Sequence, residues 1–536
     1  MAGLAVLLPL IILVLDPDKL VDYLWFESYR NLILLSIICF IILKNLLIVW
    51  LSKMQVSYIN KLYSCYSEKL YDNYYRQGLL FIKNRHSDEL TYNTNAVSYL
   101  FTHGVLSLTL SIIAEIFLLL FIWCSIFWFS PITAIGICVC LIPFGIIYFY
   151  WVRKKLRTYG EREDNAKRRI MTLVGDTFKG YSDIKLNDAY RWFKERFDFH
   201  LSEIANSRKW ITKALHIPQG MMECYIVIGM ILFIIIGGNT NDTRLTLGIL
   251  GIAVLRILPS LRTLITMIIQ LKNNAFTIDI IKDIYMPVEN DNVEEKPVYF
   301  QKQIKMDNIC FRYPGKDSFT LKDFSLIINK GECLGIQGMS GIGKTTLFNL
   351  LLGFYKPCKG SILVDGITLD EQSYRAWLKL IAYVPQDIFV MDATLAENIA
   401  FGQEKVDYEQ ISRAIEQSGL NEFVASLPEG IDTRIGQNGN LLSGGQCQRV
   451  GIARALYKNA EILLFDEATS SLDAKTEGGI METIYRLSKE INNLTVVLIS
   501  HKDTTLKKCD RRVEIQNYRG KRKEETITYN AQEIPI

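Results

Sequence analysis

Two short runs of this sequence carry enough chemistry to define a reaction. The first is Gly338-Met-Ser340-Gly341-Ile-Gly343-Lys344-Thr345-Thr346. Glycines let successive backbone amides close around phosphate oxygens, and the N-terminus of a following helix favours their negative charge. In that setting Lys344 reaches the β- and γ-phosphates and the Thr345 hydroxyl ligates Mg2+. The second run is Ile462-Leu-Leu-Phe-Asp466-Glu467, whose two carboxylates begin 122 residues after Lys344. Asp466 is placed to hold the metal and Glu467 to polarise an attacking water. A phosphate loop alone also suits a kinase or a GTPase, and an acidic pair at a strand end is often only a cap or a surface pair. Together they predict hydrolysis of a nucleoside triphosphate.

Such chemistry requires a strand, a tight loop and a helix in succession. Cys333-Leu-Gly-Ile reads as the strand and Leu347-Phe-Asn-Leu-Leu-Leu as the helix, while the apolar run before Asp466 reads as a second strand. Further motifs follow in order: Tyr313 within Phe-Arg-Tyr-Pro, Gln386 within Val-Pro-Gln, Leu442-Ser443-Gly444-Gly445-Gln446 ending 20 residues before Asp466, Ser470-Ser-Leu-Asp473, and His501. With these, residues 298–520 resemble an ABC-family ATPase domain over essentially their whole length. The resemblance implies an α/β P-loop NTPase fold with ATP and Mg2+ as ligands. It implies that Tyr313 stacks on adenine, that Gln386 joins Thr345 and Asp466 at the metal, and that Glu467, His501 and Gln386 form the catalytic set. It further implies that Ser443, Gly444, Gly445, Gln446 and Asp473 complete the site of a partner domain, capping the γ-phosphate on that domain's Gly338–Thr346 loop. One copy of each motif per chain means that the chain pairs, with a second copy of itself or with a related chain. Departures from the family pattern are Gln437 in place of Glu, Cys447 in place of Lys or Arg, and Lys502 in place of Arg.

The rest of the chain is of different composition. Its 536 residues carry 60 Lys plus Arg against 56 Asp plus Glu, a net charge of +4, which excludes a basic nucleic-acid binder and an acidic disordered chain. Hydrophobic residues make up 49% and the mean hydropathy is +0.15, high for a soluble protein. The 55 residues 97–151 contain one formal charge, Glu115, and suit two spans turning at Ser130-Pro131. Similar stretches predict spans at 32–51, 220–238 and 245–269. Residues 1–15 predict a short first span interrupted by Pro9, with a signal peptide as the rival reading. The 65 residues 152–216 carry 16 Lys plus Arg and are therefore cytoplasmic. Six spans return both termini to the side where ATP is found. The expected fold is thus an α-helical six-span transmembrane domain over 1–278, a linker over 279–297, and the nucleotide-binding domain over 298–536. Residues 53–96 and 152–216 read as long cytoplasmic helices. The 11 cysteines show no CxxC pair, so neither a disulfide framework nor a zinc site is expected, only reduced and mostly buried thiols.

Spans and ATPase on one chain resemble ABC exporters of the cytoplasmic membrane, which implies coupling helices at the stalk ends, near Gln77–Arg85 and Asn187–Phe193. Charges inside spans mark candidate substrate contacts: Lys44, Glu115, Arg256 and Arg262. Arg binds phosphate bidentately, so Arg256 and Arg262 suit a pyrophosphate headgroup, while a Lys44–Glu115 ion pair is the structural alternative. Arg256-Ile-Leu-Pro259-Ser260, Ala114-Glu115-Ile-Phe-Leu-Leu-Leu, Lys179-Gly180-Tyr-Ser-Asp-Ile-Lys185-Leu and Leu8-Pro9-Leu10-Ile11 resemble the bacterial ABC flippases of lipid-linked oligosaccharides in N-glycosylation. That resemblance implies a polyisoprenyl-pyrophosphate sugar moved to the outer leaflet. An exporter of peptides, drugs or other lipids is the second reading, and a non-transporting ABC ATPase acting on nucleic acid or ribosomes the third. The Arg519–Glu524 cluster reads as a solvated or lipid-facing charge run.

Overall fold

The computed structural model describes residues 24–85, 87–129, 131, 155, 158–237, 241–286, 295–316, 318–339, 341–436, 442–467, 474–491, 493–519 and 527–534. The chain divides into two compact units, Met1–Glu289 and Asn290–Ile536.

The first unit is helical. Helix α1 (Leu24–Arg76) takes in the expected 32–51 span and continues unbroken into the polar segment beyond it. It ends where Gly78 adopts φ +81°, a left-handed conformation that glycine takes without steric cost, and the short α2 (Leu79–Asn84) follows. From Ser87 the chain runs as α-helix Ser87–Tyr92, π-helix Asn93–Val97, α-helix Ser98–Phe101, π-helix Thr102–Leu106 and α3 (Ser107–Phe129). Farther along lie α4 (Tyr181–Leu186), α5 (Tyr190–Gly237) and α6 (Asn241–Asn274). Helices α3 and α6 pack antiparallel: Ile122 and Ile257 share a small core, while Gly104 lies so close to Asn274 that a Cβ there would collide with its side chain. The second short helix is therefore Tyr181–Leu186 rather than Asn187–Phe193, because Gly180 precedes it and Asp188, at φ +50°, turns the chain before α5 starts.

Among the described residues two stretches are long and apolar enough to cross a membrane, Ile38–Arg76 and Ser87–Cys124. A bent pair, Pro259–Asn274 with Thr277–Tyr285 at 50°, forms a third candidate. The backbone is helical over 220–237 and 245–269. The expected first span, the fourth span over 132–151 and the Gly238-Asn239 loop lie outside the described residues. What stands is a helical, membrane-type unit. The thiols depart from expectation: of the described cysteines, Cys310, Cys333 and Cys509 are buried, whereas Cys39, Cys124, Cys224 and Cys358 are exposed. Three of the exposed ones sit on long apolar helices, where burial is not needed to keep a small apolar side chain from water.

The second unit contains two sheets. Strands β1 (Gln303–Phe311), β2 (Leu321–Asn329), β4 (Lys359–Val364) and β5 (Ile367–Thr368) form an antiparallel sheet in the order β2-β1-β4-β5. Along β2 buried and exposed residues alternate, as one covered face requires. The other sheet runs β10-β9-β3-β8-β7-β6, with β3 (Cys333–Gly338), β6 (Ile381–Val384), β7 (Ile462–Asp466), β8 (Thr495–Ile499), β9 (Arg511–Arg519) and β10 (Ile527–Ile534). Its β9-β3-β8-β7-β6 run is parallel. Every residue of β7 and β8 is buried, which is why both read as continuous apolar runs: a parallel strand covered on both faces has no side to leave polar. Helix α7 (Lys344–Leu351) follows β3 directly. Parallel order puts the C-terminal ends of β3, β7 and β8 at one edge, where a ligand crevice belongs in such sheets.

Candidate functional site

The loop between β3 and α7 is shaped by its glycines. Gly341 and Gly343 stand at φ +79° and +109°, and a Cβ on Gly338 would press within 3.1 Å of both Ile342 Cγ2 and the Ile515 carbonyl. Lys344, 5% exposed, folds back over this loop: its Nζ donates to the carbonyls of Gly338 (2.9 Å) and Met339 (3.1 Å). Burial holds the ammonium below its ordinary pKa, with the Glu467 carboxylate opposing. Ser340 lies outside the described residues.

At the end of β7, Asp466 is 4% exposed and Glu467 takes φ +48°, a costly conformation for a non-glycine residue that aims its carboxylate out of the strand direction. Glu467 Oε1 lies 2.6 Å from His501 Nε2 and 3.6 Å from Lys344 Nζ. His501 Nε2 is also 3.0 Å from Lys344 Nζ. One nitrogen cannot serve both neighbours at once: protonated it donates to Glu467, unprotonated it accepts from Lys344. Burial pushes the Asp466 carboxyl above its ordinary range, against hydrogen bonds from Thr345 and Tyr383. Lys344, Thr345, Asp466, Glu467 and His501 are thus brought together from α7, β7 and the segment after β8.

Tyr383 was not singled out from sequence. It lies on β6, paired with β7, and its hydroxyl donates to Asp466 Oδ2 at 3.2 Å. The available signal was a tyrosine in an apolar strand three residues before Gln386. Gln386 itself is exposed, and its carbonyl accepts from Gln448 Nε2 at 2.7 Å. Tyr313 is half-buried between Phe311 and Tyr355, with its hydroxyl 2.9 Å from Thr346 Oγ1.

Ser443 caps helix α8 (Gly444–Tyr457). Its Oγ accepts from the Gln446 amide at 3.3 Å, and Gln446 Oε1 accepts from the Ser443 amide at 2.8 Å, a reciprocal capping box. Among the described residues no hydrogen bond or ion pair joins Ser443–Gln446 to the Lys344 cluster. Cys447 packs against the domain core. Asp473 and Gln437 lie outside the described residues.

Arg262 is exposed on α6 and, among the described residues, has no ion-pair partner. Arg256 is on the same helix, with its side chain outside the described residues. Pro259 sits between them. It removes a helix N–H, and Thr263 Oγ1 donates to its carbonyl at 2.9 Å. Lys44 and Glu115 do not pair: Glu115 Oε2 is buried with no hydrogen-bond partner among the described residues. The two residues lie on separate helices, α1 and α3, and Glu115 comes after two π-helical turns that reset its face.

The site suits a Mg2+-bound triphosphate. Strain-free glycines, a buried ammonium and the α7 N-terminus face one loop, and the Asp466 carboxylate is bonded to the Thr345 hydroxyl. A metal here would be held jointly by one carboxylate, one hydroxyl and substrate phosphates. A buried carboxylate kept for a cation opposes folding when the cation is absent. Asp466→Asn is therefore expected to raise the melting temperature of the nucleotide- and Mg2+-free protein by a few degrees, on the order of 1 kcal/mol, while removing Mg2+-dependent hydrolysis. Differential scanning fluorimetry beside an ATPase assay checks both; a lowered melting temperature would mean that Asp466 serves the fold.

A parallel-sheet phosphate-loop domain joined to a helical membrane unit defines a P-loop nucleotide hydrolase of the membrane. The ABC transporter family pattern matches residues 321–470. The ATP-dependent lipid A-core flippase of Alkalilimnicola ehrlichii is 31% identical over 432 residues, 79% of this chain and 72% of that protein. The ATP-dependent lipid A-core flippase of Pseudomonas aeruginosa is 28% identical over 448 residues, 81% of this chain and 72% of that one. A bacterial Atm1-family ABC exporter solved with ATP bound shares the fold, with a TM-score of 0.77 at 23% identity over 96% of this chain and 92% of the other. The chain belongs to the ABC transporter family, and it is an ATP-driven exporter of that family, an integral membrane protein that couples ATP hydrolysis to transport.

Proposed function

We propose that this exporter is a flippase of the cytoplasmic membrane, working as a homodimer with six spans per chain. Its cargo on this reading is a polyisoprenyl-pyrophosphate-linked oligosaccharide or a similar lipid, taken from the cytoplasmic leaflet to the outer one. The relatives named as lipid flippases support a lipid cargo. The observation that carries the headgroup is Arg262, an exposed guanidinium on a long helix with no ion-pair partner among the described residues, a costly arrangement unless an anion meets it.

On this reading Lys344 exchanges its loop carbonyls for the β- and γ-phosphates, and Tyr313 stacks on adenine. Thr345, Asp466 and Gln386 hold Mg2+, which supplies positive charge to the phosphates. Glu467 orients and polarises the attacking water, and His501 holds the γ-phosphate end of the site. Ser443, Gly444, Gly445, Gln446 and Asp473 cap the site of the partner copy. The short contacts of Lys344 and His501 with Glu467 keep that base engaged until nucleotide arrives.

The test is ATPase activity in lipid nanodiscs with and without a polyisoprenyl-pyrophosphate oligosaccharide, followed by leaflet-resolved transport. Arg256→Ala with Arg262→Ala is expected to reduce lipid-stimulated turnover and transport at least about tenfold while basal hydrolysis persists, the loss of a charge-assisted phosphate contact. Equal loss of both activities, or of neither, removes the arginines from headgroup recognition. A second reading, export of another amphipathic molecule, is favoured by Glu115, whose buried unpaired oxygen suits a hydrogen-bond donor or cation. Hydrolysis indifferent to the pyrophosphate lipid would move the weight there.

A further inference from the structure

Helix α9 (Ala474–Glu490) meets two parts of the nucleotide domain through its first turn. On one side is Gly445 of α8: a Cβ there would collide with the Thr476 methyl, so glycine is what lets α8 and α9 close on each other. On the other side is the segment after β8. Glu477 Oε2 accepts from Lys502 Nζ at 2.6 Å, and Glu477 Oε1 accepts from Thr505 Oγ1 at 3.1 Å. Glu477 is 12% exposed and Lys502 47%. Lys502 is the immediate neighbour of His501, whose Nε2 touches Glu467. The same helix grips this segment a second time, through the Tyr485 hydroxyl and the Thr505 carbonyl.

We propose that Glu477 is a positioning residue for hydrolysis: through Lys502 and Thr505 it fixes where His501 stands, and through Thr476 against Gly445 it makes that position depend on where α8 sits. The inference rests on the roles assigned above to His501 and to Ser443–Gln446. Because those residues cap the partner copy's nucleotide, the first turn of α9 passes the state of one ATP site to the histidine of the other. It also gives a place to Lys502: a single ammonium engages one carboxylate oxygen while Thr505 takes the other. Removing Lys502 would leave the mostly buried Glu477 carboxylate short of its cation, so stability is read beside catalysis in every variant.

The experiment uses the full chain in nanodiscs and compares Glu477→Gln, Glu477→Lys, Lys502→Glu, the Glu477→Lys/Lys502→Glu swap, Lys502→Arg and His501→Ala. The two charge reversals are expected to lower kcat about tenfold or more with KM for ATP nearly unchanged, as for loss of a positioning contact. They should also flatten the cooperativity of hydrolysis against ATP concentration. The swap should recover both and Lys502→Arg should retain both, since each has opposite charges at the two positions. Melting temperatures and fluorescent-ATP binding guard against misfolding. If His501→Ala is inactive while every Glu477 and Lys502 variant keeps wild-type kcat and cooperativity, the proposal fails alone. If His501→Ala hydrolyses ATP normally, the parent assignment fails. Losses in the reversals that track a falling melting temperature and are not recovered by the swap also overturn the proposal.

Discussion

Purified Glu467→Gln protein is expected to bind ATP as the parent does and to hydrolyse it about 10²–10⁴-fold more slowly, the range for loss of a positioned general base. The amide keeps the shape of the side chain and its contact with His501, now through a neutral oxygen, so the loop geometry at the end of β7 should persist. What is lost is the negative charge that Glu467 Oε1 presents 2.6 Å from the imidazole and 3.6 Å from the Lys344 ammonium. Two consequences separate this residue from a structural acid. Nucleotide binding should survive, because Lys344 and the loop glycines do not need Glu467 to engage phosphate. Unhydrolysed ATP should also accumulate on dimers, which cross-linking or size-resolved electron microscopy would reveal. A turnover rate near that of the parent would remove Glu467 from the catalytic role.

Lys344→Ala is expected to act at the earlier step. In the nucleotide-free protein the ammonium is tied to two backbone carbonyls and is almost wholly buried, so truncation leaves the Gly338 and Met339 carbonyls without it. Charge-assisted hydrogen bonds to phosphate are worth about 1.5–3 kcal/mol, so ATP affinity should fall about ten- to a hundredfold and hydrolysis should disappear at cellular ATP concentrations. Lys344→Arg is expected to fail as well: a planar guanidinium does not fit where a compact ammonium is 5% exposed between two carbonyls. Isothermal titration with a non-hydrolysable ATP analogue measures the affinity directly. Unchanged affinity in Lys344→Ala would exclude the lysine from phosphate binding.

The nucleotide half was legible because its elements are fixed by local pattern. Cys333–Ile336 had to be a strand and Leu347–Leu352 a helix for the glycines between them to make sense, and the strand Cys333–Gly338 and helix Lys344–Leu351 answer to both, Leu352 being the helix cap. The strand before Asp466 announced itself through apolar residues buried on both faces. Tyr383 escaped notice because its bond to Asp466 depends on the pairing of β6 with β7, a register set by residues far apart in sequence. The carboxylate of Glu477 had no local signal either, since its partners follow the strand β8. In the membrane half, hydropathy marked the 32–51 span but not that α1 would run without interruption to Arg76. The resemblance to ABC exporters placed the second short helix too late, because Asp188, at φ +50°, ends it through a backbone conformation that a motif comparison does not encode. The thiols came out less buried than expected for the same reason that apolar helices can expose Leu and Ile: membrane-facing surface does not count as exposure to water.

The two π-helical turns at Asn93–Val97 and Thr102–Leu106 change how this chain should be compared with any other. Each closes its hydrogen-bonded ring one residue wider than an α-turn, so each is in effect a one-residue insertion. At about 100° per residue, two insertions swing everything from Ser107 onward by roughly 200° relative to an uninterrupted helix. Glu115 therefore lies nearly opposite the face that counting forward from Tyr92 would give it. A related chain lacking those insertions can place a carboxylate at the same depth with a residue number two lower, and an alignment without gaps would pair Glu115 with a side chain pointing away from it. Correspondence along this span is a matter of turns, and residue numbers follow only once each widened turn has been allowed for.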